Sequence, residues 1–258
     1  MVATCARAVE LGLPAIAFTE HVDHTVWQVA MDGLEPDHLL VRLSDEGGSL
    51  TPPPFDASGY LTAIEHCRER FPDLRILSGL ELGEPHRYAD QVAEVLRAGR
   101  FDRLLGSVHT LPDDDGYAEP PGLLTHRDPD EVLRSYLAEV VALVAGSDVF
   151  AVLAHIDYPV RSWPKSAGPF LPERFEEEFR HVLRLTAQSG RALEVSTVVP
   201  LHATLLRWWH EEDGEAVTFG SDAHGPTAVA RGFRAAAQMA EAHGFRPGNR
   251  PCEMWGRQ

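Results

Sequence analysis

The 258-residue chain holds only three cysteines, Cys5, Cys67 and Cys252, far apart and with no CxxC pair. That scarcity excludes a disulfide framework and a zinc ribbon and points to a reducing compartment. No apolar run approaches the length of a membrane span. Arg7 and Glu10 interrupt the apolar pattern of MVATCARAVELGLP, which does not read as a signal peptide, so a cytoplasmic location is expected. Positive charge is scarce as well: 23 Lys and Arg face 39 Asp and Glu, a net charge of −16. Such a surface repels a phosphate backbone, which argues against nucleic-acid polymers and anionic membranes as partners. A small anionic substrate stays admissible, because bound metal ions dominate the field of a site. GxGxxG, GxxxxGKS/T and GxSxG are all missing, so there is no nucleotide cradle and no serine elbow. The DDDG run at 113–116 lacks EF-hand spacing and the final Glu, and reads as a turn.

What is present is an ordinary soluble composition, 44% hydrophobic and 24% charged. Helical patterns at 2–11, 59–70, 86–98, 129–145, 171–188, 200–211 and 226–242 alternate with apolar runs at 15–18, 75–82, 103–109, 148–155, 191–197 and 216–222. The 129–145 helix carries a possible N-cap at Asp128, Pro129 in its first turn and Gly146 past its end. Strand–helix alternation predicts a parallel sheet, and six such strands fit an α/β barrel in a single domain over 1–258. Residues 25–58 and 110–128 are long polar connections, of the kind that form rims or lids. For the adjacent Trp208 and Trp209, one inward and one rim-facing ring is the expectation.

The ends of the apolar runs carry the chemistry. AIAF leads to Glu20-His21, RILSGL to Glu81, LLGSV to His109, FAVLA to His155-Ile156-Asp157, RAL to Glu194 and AVTFGS to Asp222-Ala223-His224. Residues i and i+2 of an extended chain point to one side, so Asp222 and His224 can aim at one point. In a barrel these strand ends converge on one rim, where imidazoles and carboxylates together suit a multi-metal hydrolytic centre. Asp157 and Glu194 also fit as loop or helix anchors. The remaining histidines, His38 among them, read as solvated or packing residues.

The motifs AIAFTEH (15–21), GLELGEP (79–85), GSVHTL (106–111), VLAHIDYPVR (152–161), LEVST (193–197) and GSDAHGP (220–226), in this order, resemble the PHP family, named for polymerase and histidinol phosphatase, and its histidinol-phosphate phosphatase branch in particular. The resemblance implies a distorted (β/α)7 TIM-like barrel with two to three divalent ions, Zn, Fe or Mn. It implies that Glu81 bridges two ions, that His109 and His155 complete the second, that Asp222 serves the first, and that His21 and His224 hold the third. Glu81, His109 and Asp222 would be the catalytic ligands. Arg161 would bind substrate phosphate, or else be a surface arginine on a rim loop.

Two departures stand out. No His precedes His21, whereas the family opens on a strand bearing His-x-His; the first strand is expected to be missing and the chain to be N-terminally truncated. The family branch shows an Asn near EVSTVVP (194–200), where this chain has valines. The expected function is hydrolysis of a small phosphomonoester by a metal-held water or hydroxide, within histidine biosynthesis. The alternatives are another PHP-type hydrolase, such as a nucleotide phosphodiesterase, and a non-catalytic metal-binding remnant.

Overall fold

The computed structural model describes residues 1–31, 39–114, 116–250 and 252–258; His38 and Asp115 lie outside them. Its strands are β1 Ala15–Val22, β2 Trp27–Gln28, β3 Ser49–Leu50, β4 Arg75–Gly83, β5 Arg103–Ser107, β6 Leu111–Asp113, β7 Gly116–Ala118, β8 Val152–Leu153, β9 Ala192–Ser196, β10 Ala216–Gly220, β11 Phe245–Arg246 and β12 Trp255–Arg257. The helices are α1 Val2–Glu10, α2 Leu39–Leu43, α3 Ala57–Arg70, α4 Ala89–Arg97, α5 Pro120–Leu123, α6 Pro129–Gly146, α7 Glu176–Gln188, α8 Ala203–Glu211 and α9 Phe233–Ala242.

Eight strands form one sheet in the order β1-β4-β5-β8-β9-β10-β12-β11. The first six are parallel neighbours, and they are the six apolar runs of the sequence. Helices connect them, as parallel pairing requires. β8 is shorter than the 148–155 run predicts, although ladder bonds continue at Ala151 and Ala154. The sheet curls: β1 and β10 face each other across a cavity of about 450 Å³. The outer edge of β10 is covered by β12 only at Ala216 and Val217.

The helices pack as their patterns dictate. Asp128 caps α6 by accepting from the amides of Asp130 and Glu131, and the helix buries Val132, Leu133, Tyr136, Leu137, Val140 and Val144. Three expectations need correction. The polar connections 25–58 and 110–128 contribute a second sheet, β3-β2-β7-β6. Trp208 and Trp209 are both buried, Trp208 beside Phe179 and Trp209 donating to the carbonyl of Ala216. The 226–242 helix is broken: a 3-10 turn at Pro226–Ala228 precedes α9, with Ala230 and Gly232 at φ 55° and 75° between them. Cys5, Cys67 and Cys252 are free, and among the described residues no helix is long and apolar enough to cross a membrane.

Candidate metal centre

Parallel strands deliver their C-terminal ends to one rim, and the predicted residues gather there. Glu81 sits near the end of β4, buried. Its Oε1 lies 2.7 Å from His155 Nε2 and 3.2 Å from His109 Nε2; its Oε2 lies 3.8 Å from His21 Nδ1. His21 is the penultimate residue of β1 and its ring stands 5.7 Å from that of His224, which follows β10. The sheet's two sides therefore meet at the rim. Asp222 Oδ1 is 3.5 Å from His224 Nδ1, while Asp222 Oδ2 accepts from Arg161 Nη1 at 2.6 Å.

Among the described residues three adjoining groups result: His21 with Asp222 and His224, His21 with Asp23 and His109, and Glu81 with His109 and His155. Within each, one ligand atom per residue lies within 4.8 Å of the others. Asp222 thus falls with His21 and His224, and Glu81 with the two buried imidazoles. Arg161 is not a surface arginine: it is 16% exposed, pairs with Asp222, and stands over the Tyr158 ring at 5.1 Å.

The electrostatics follow from crowding. Burial alone would raise the Glu81 carboxyl, but the imidazoles of His21, His109 and His155 outweigh it and hold it well below the usual carboxylate range. Burial would lower His109; Asp23 and Glu81 push it well above the usual imidazole range instead. Burial leaves His155 below that range despite Glu81. Burial, reinforced by Glu81 and Asp222, lifts Glu194 to about 8, and burial lifts Asp157 to about 6. Perturbed groups in one cleft mark a functional site. So does the backbone: Glu84, His155 and Asp222, all at strand ends, have φ of 43°, 21° and 44°, a conformation that non-glycine residues keep where the surroundings enforce it.

Sequence reasoning missed Asp23, Glu84 and Tyr158. Asp23 had a signal, since it stands two residues past His21 just as His224 stands two past Asp222. Glu84 had none: its role depends on a fold that brings Thr25, His109 and Thr110 around its carboxylate. Tyr158 follows the AHID motif and lies under Arg161, with its ring 5.0 Å from that of His155.

A parallel α/β sheet that pools imidazoles and carboxylates at its strand ends is the architecture of a metal-dependent hydrolase. The chain belongs to the PHP family, whose PHP domain profile matches residues 1–198. Among curated relatives, the histidinol-phosphatase of Lactococcus lactis is 25% identical over 226 residues, 84% of this chain and 76% of the relative. A protein of Clostridium acetobutylicum named "Probable histidinol-phosphatase" is 25% identical over 200 residues, 75% of this chain and 76% of that one. The crystal structure of histidinol phosphate phosphatase from Lactococcus lactis, complexed with zinc, L-histidinol and phosphate, superposes with a TM-score of 0.72 at 20% identity, covering 95% of this chain and 87% of that one.

Proposed function

We propose that the chain is a metal-dependent phosphomonoesterase acting on a small substrate such as L-histidinol phosphate, and hence a cytoplasmic enzyme of histidine biosynthesis. The observation that carries the reading is the run of three adjoining carboxylate–imidazole groups, linked through His21 and His109. The donor set fits divalent zinc, iron or manganese, which accept mixed nitrogen and oxygen ligands. His109, His155 and Glu81 would hold one ion, His21, His224 and Asp222 another, and Glu81 could be shared with a third. Ions bound there supply Lewis acidity and acidify water.

The chain's own residues supply the rest. Arg161 sits beside the rim with two guanidinium nitrogens engaged by Asp222 and, at 3.5 Å, by Ser196 Oγ; two phosphate oxygens can take the place of both partners in bidentate fashion. Tyr158 backs the guanidinium and fixes its plane. Without a cation nearby, burial together with Glu81 and Asp222 raises the Glu194 carboxyl to about 8, and an ion on the Glu81 side would favour its ionised form. We also read residues 1–258 as one hydrolase domain, a distorted seven-strand barrel with one strand place open between β1 and the outer edge of β10. The cavity between those edges supports that reading.

The test is a substrate panel with zinc-, manganese- or iron-loaded protein, comparing L-histidinol phosphate and other monoesters with nucleotide diesters. Turnover of monoesters is expected. Turnover of diesters alone would replace this reading with a phosphodiesterase, and two or more bound metals without any turnover would leave a metal-binding remnant.

A further inference from the structure

His109 has two ring nitrogens and two acidic neighbours, on opposite sides. Nδ1 is 2.7 Å from Asp23 Oδ1, and Nε2 is 3.2 Å from Glu81 Oε1. The side chains of His109 and Asp23 are 9% and 11% exposed, so solvent competes little for either contact. The backbone of the same loop is fastened separately. Glu84, fully buried, accepts from the amides of His109 (2.6 Å) and Thr110 (2.9 Å) with one oxygen, and from Thr25 Oγ1 (2.9 Å) with the other. The loops after β1 and β5 are thereby joined twice, through a side chain and through the backbone. Gly83 makes room for this. A Cβ there would lie 2.0 Å from Asp23 Oδ1 and 3.3 Å from His109 Nδ1, so any larger residue would push the carboxylate off the ring.

We propose that Asp23 is a positioning residue: it accepts a hydrogen bond from the protonated Nδ1 of His109 and so keeps the Nε2 lone pair aimed at the space shared with Glu81 and His155. An imidazole hands only one nitrogen to a metal, and the partner of the other nitrogen selects which one. The inference rests on the metal-centre reading given above. It also opposes a rival role for the same carboxylate. Asp23 belongs to a group of its own with His21 and His109, and an ion held there by Asp23 would need His109 Nδ1 stripped of its proton and bound. The two roles demand opposite tautomers of one ring.

The deciding experiment is long-range nitrogen–proton NMR on zinc-loaded protein with 15N-labelled histidine. The expected result is a protonated Nδ1 and a zinc-shifted Nε2 on His109. A zinc-shifted Nδ1 overturns the proposal and makes Asp23 a ligand. Zinc affinity, measured by competition with a chelator, gives a second readout. Asp23→Asn is expected to weaken it about 10–100-fold. Gly83→Ala, which leaves both partners chemically intact, should weaken it in the same direction. Unchanged affinity in both variants, with native circular dichroism, overturns the proposal. No readout needs a substrate. If they appear in a chain that hydrolyses no phosphomonoester, the positioning role stands and the substrate reading falls; if the wild-type chain takes up no zinc, both fall.

Discussion

On the β4–β5–β8 side of the rim, Glu81, His109 and His155 have side chains 9%, 9% and 5% exposed, interlocked by hydrogen bonds and backed by Asp23 and Tyr136. On the β1–β10 side, His21, Asp222 and His224 are 45%, 24% and 67% exposed and border the open cavity. The side-chain types are the same; the support behind them is not. Ladder bonds on both flanks fix β4 and β5, whereas among the described residues β1 has a neighbour on one side only and the outer edge of β10 is paired only at Ala216 and Val217. The closed side is organised by the protein before any ion arrives. On the open side fewer contacts within the protein hold the side chains in place.

The sharpest way to break this comparison is to remove the residue on which the closed side converges. Glu81→Gln keeps the shape, removes the charge and leaves His109 and His155 only an uncharged amide oxygen to share. The expected loss in kcat/KM exceeds the about 100-fold attached to outer-sphere partners, with metal content falling alongside. A smaller loss, at full metal content, would mean that the closed side is not the working half. His224→Ala tests the open side. With its ring 67% exposed, it should cost roughly tenfold, or about 1.4 kcal/mol, and lower the metal stoichiometry without changing the fold. Equal losses in the two variants would erase the distinction.

The same division governs what the sequence reveals. The grouping on the closed side was legible because Glu81, His109 and His155 each sit in or just past an apolar run, and the alternation of strands and helices forces those ends together. The His21–Asp222–His224 grouping was half legible. The i+2 rule pairs Asp222 with His224, but whether they stand beside His21 depends on how far the sheet curls, which no local pattern encodes. The small sheet was illegible for a different reason. Its strands run two or three residues, and Gln28 pairs with Ala118 across a long sequence separation, so there is no periodicity to detect. The paired burial of Trp208 and Trp209 follows from α8 being enclosed on two sides, by α7 and by β10, which helical spacing alone does not announce.

The halves also differ in their response to pH. Glu194 lies on β9, facing the cavity, with Glu81 and Asp222 nearby, and folding lifts its carboxyl from 4.5 to about 8. Below about 4.5 the group is protonated in both folded and unfolded chains and contributes nothing to the pH dependence. Between about 4.5 and 8 the unfolded chain releases the proton while the folded chain keeps it. Stability therefore falls as pH rises, by at most about 1.4 kcal/mol per unit, and levels off above 8. Glu194→Gln carries no such penalty. In chelator-treated protein the variant should match the wild type near pH 4.5 and melt higher at pH 8. Zinc should narrow that gap, since a cation on the Glu81 side favours the ionised carboxyl. Parallel melting curves at both pH values would mean that water reaches Glu194 and that the open side extends deeper than β1 and β10.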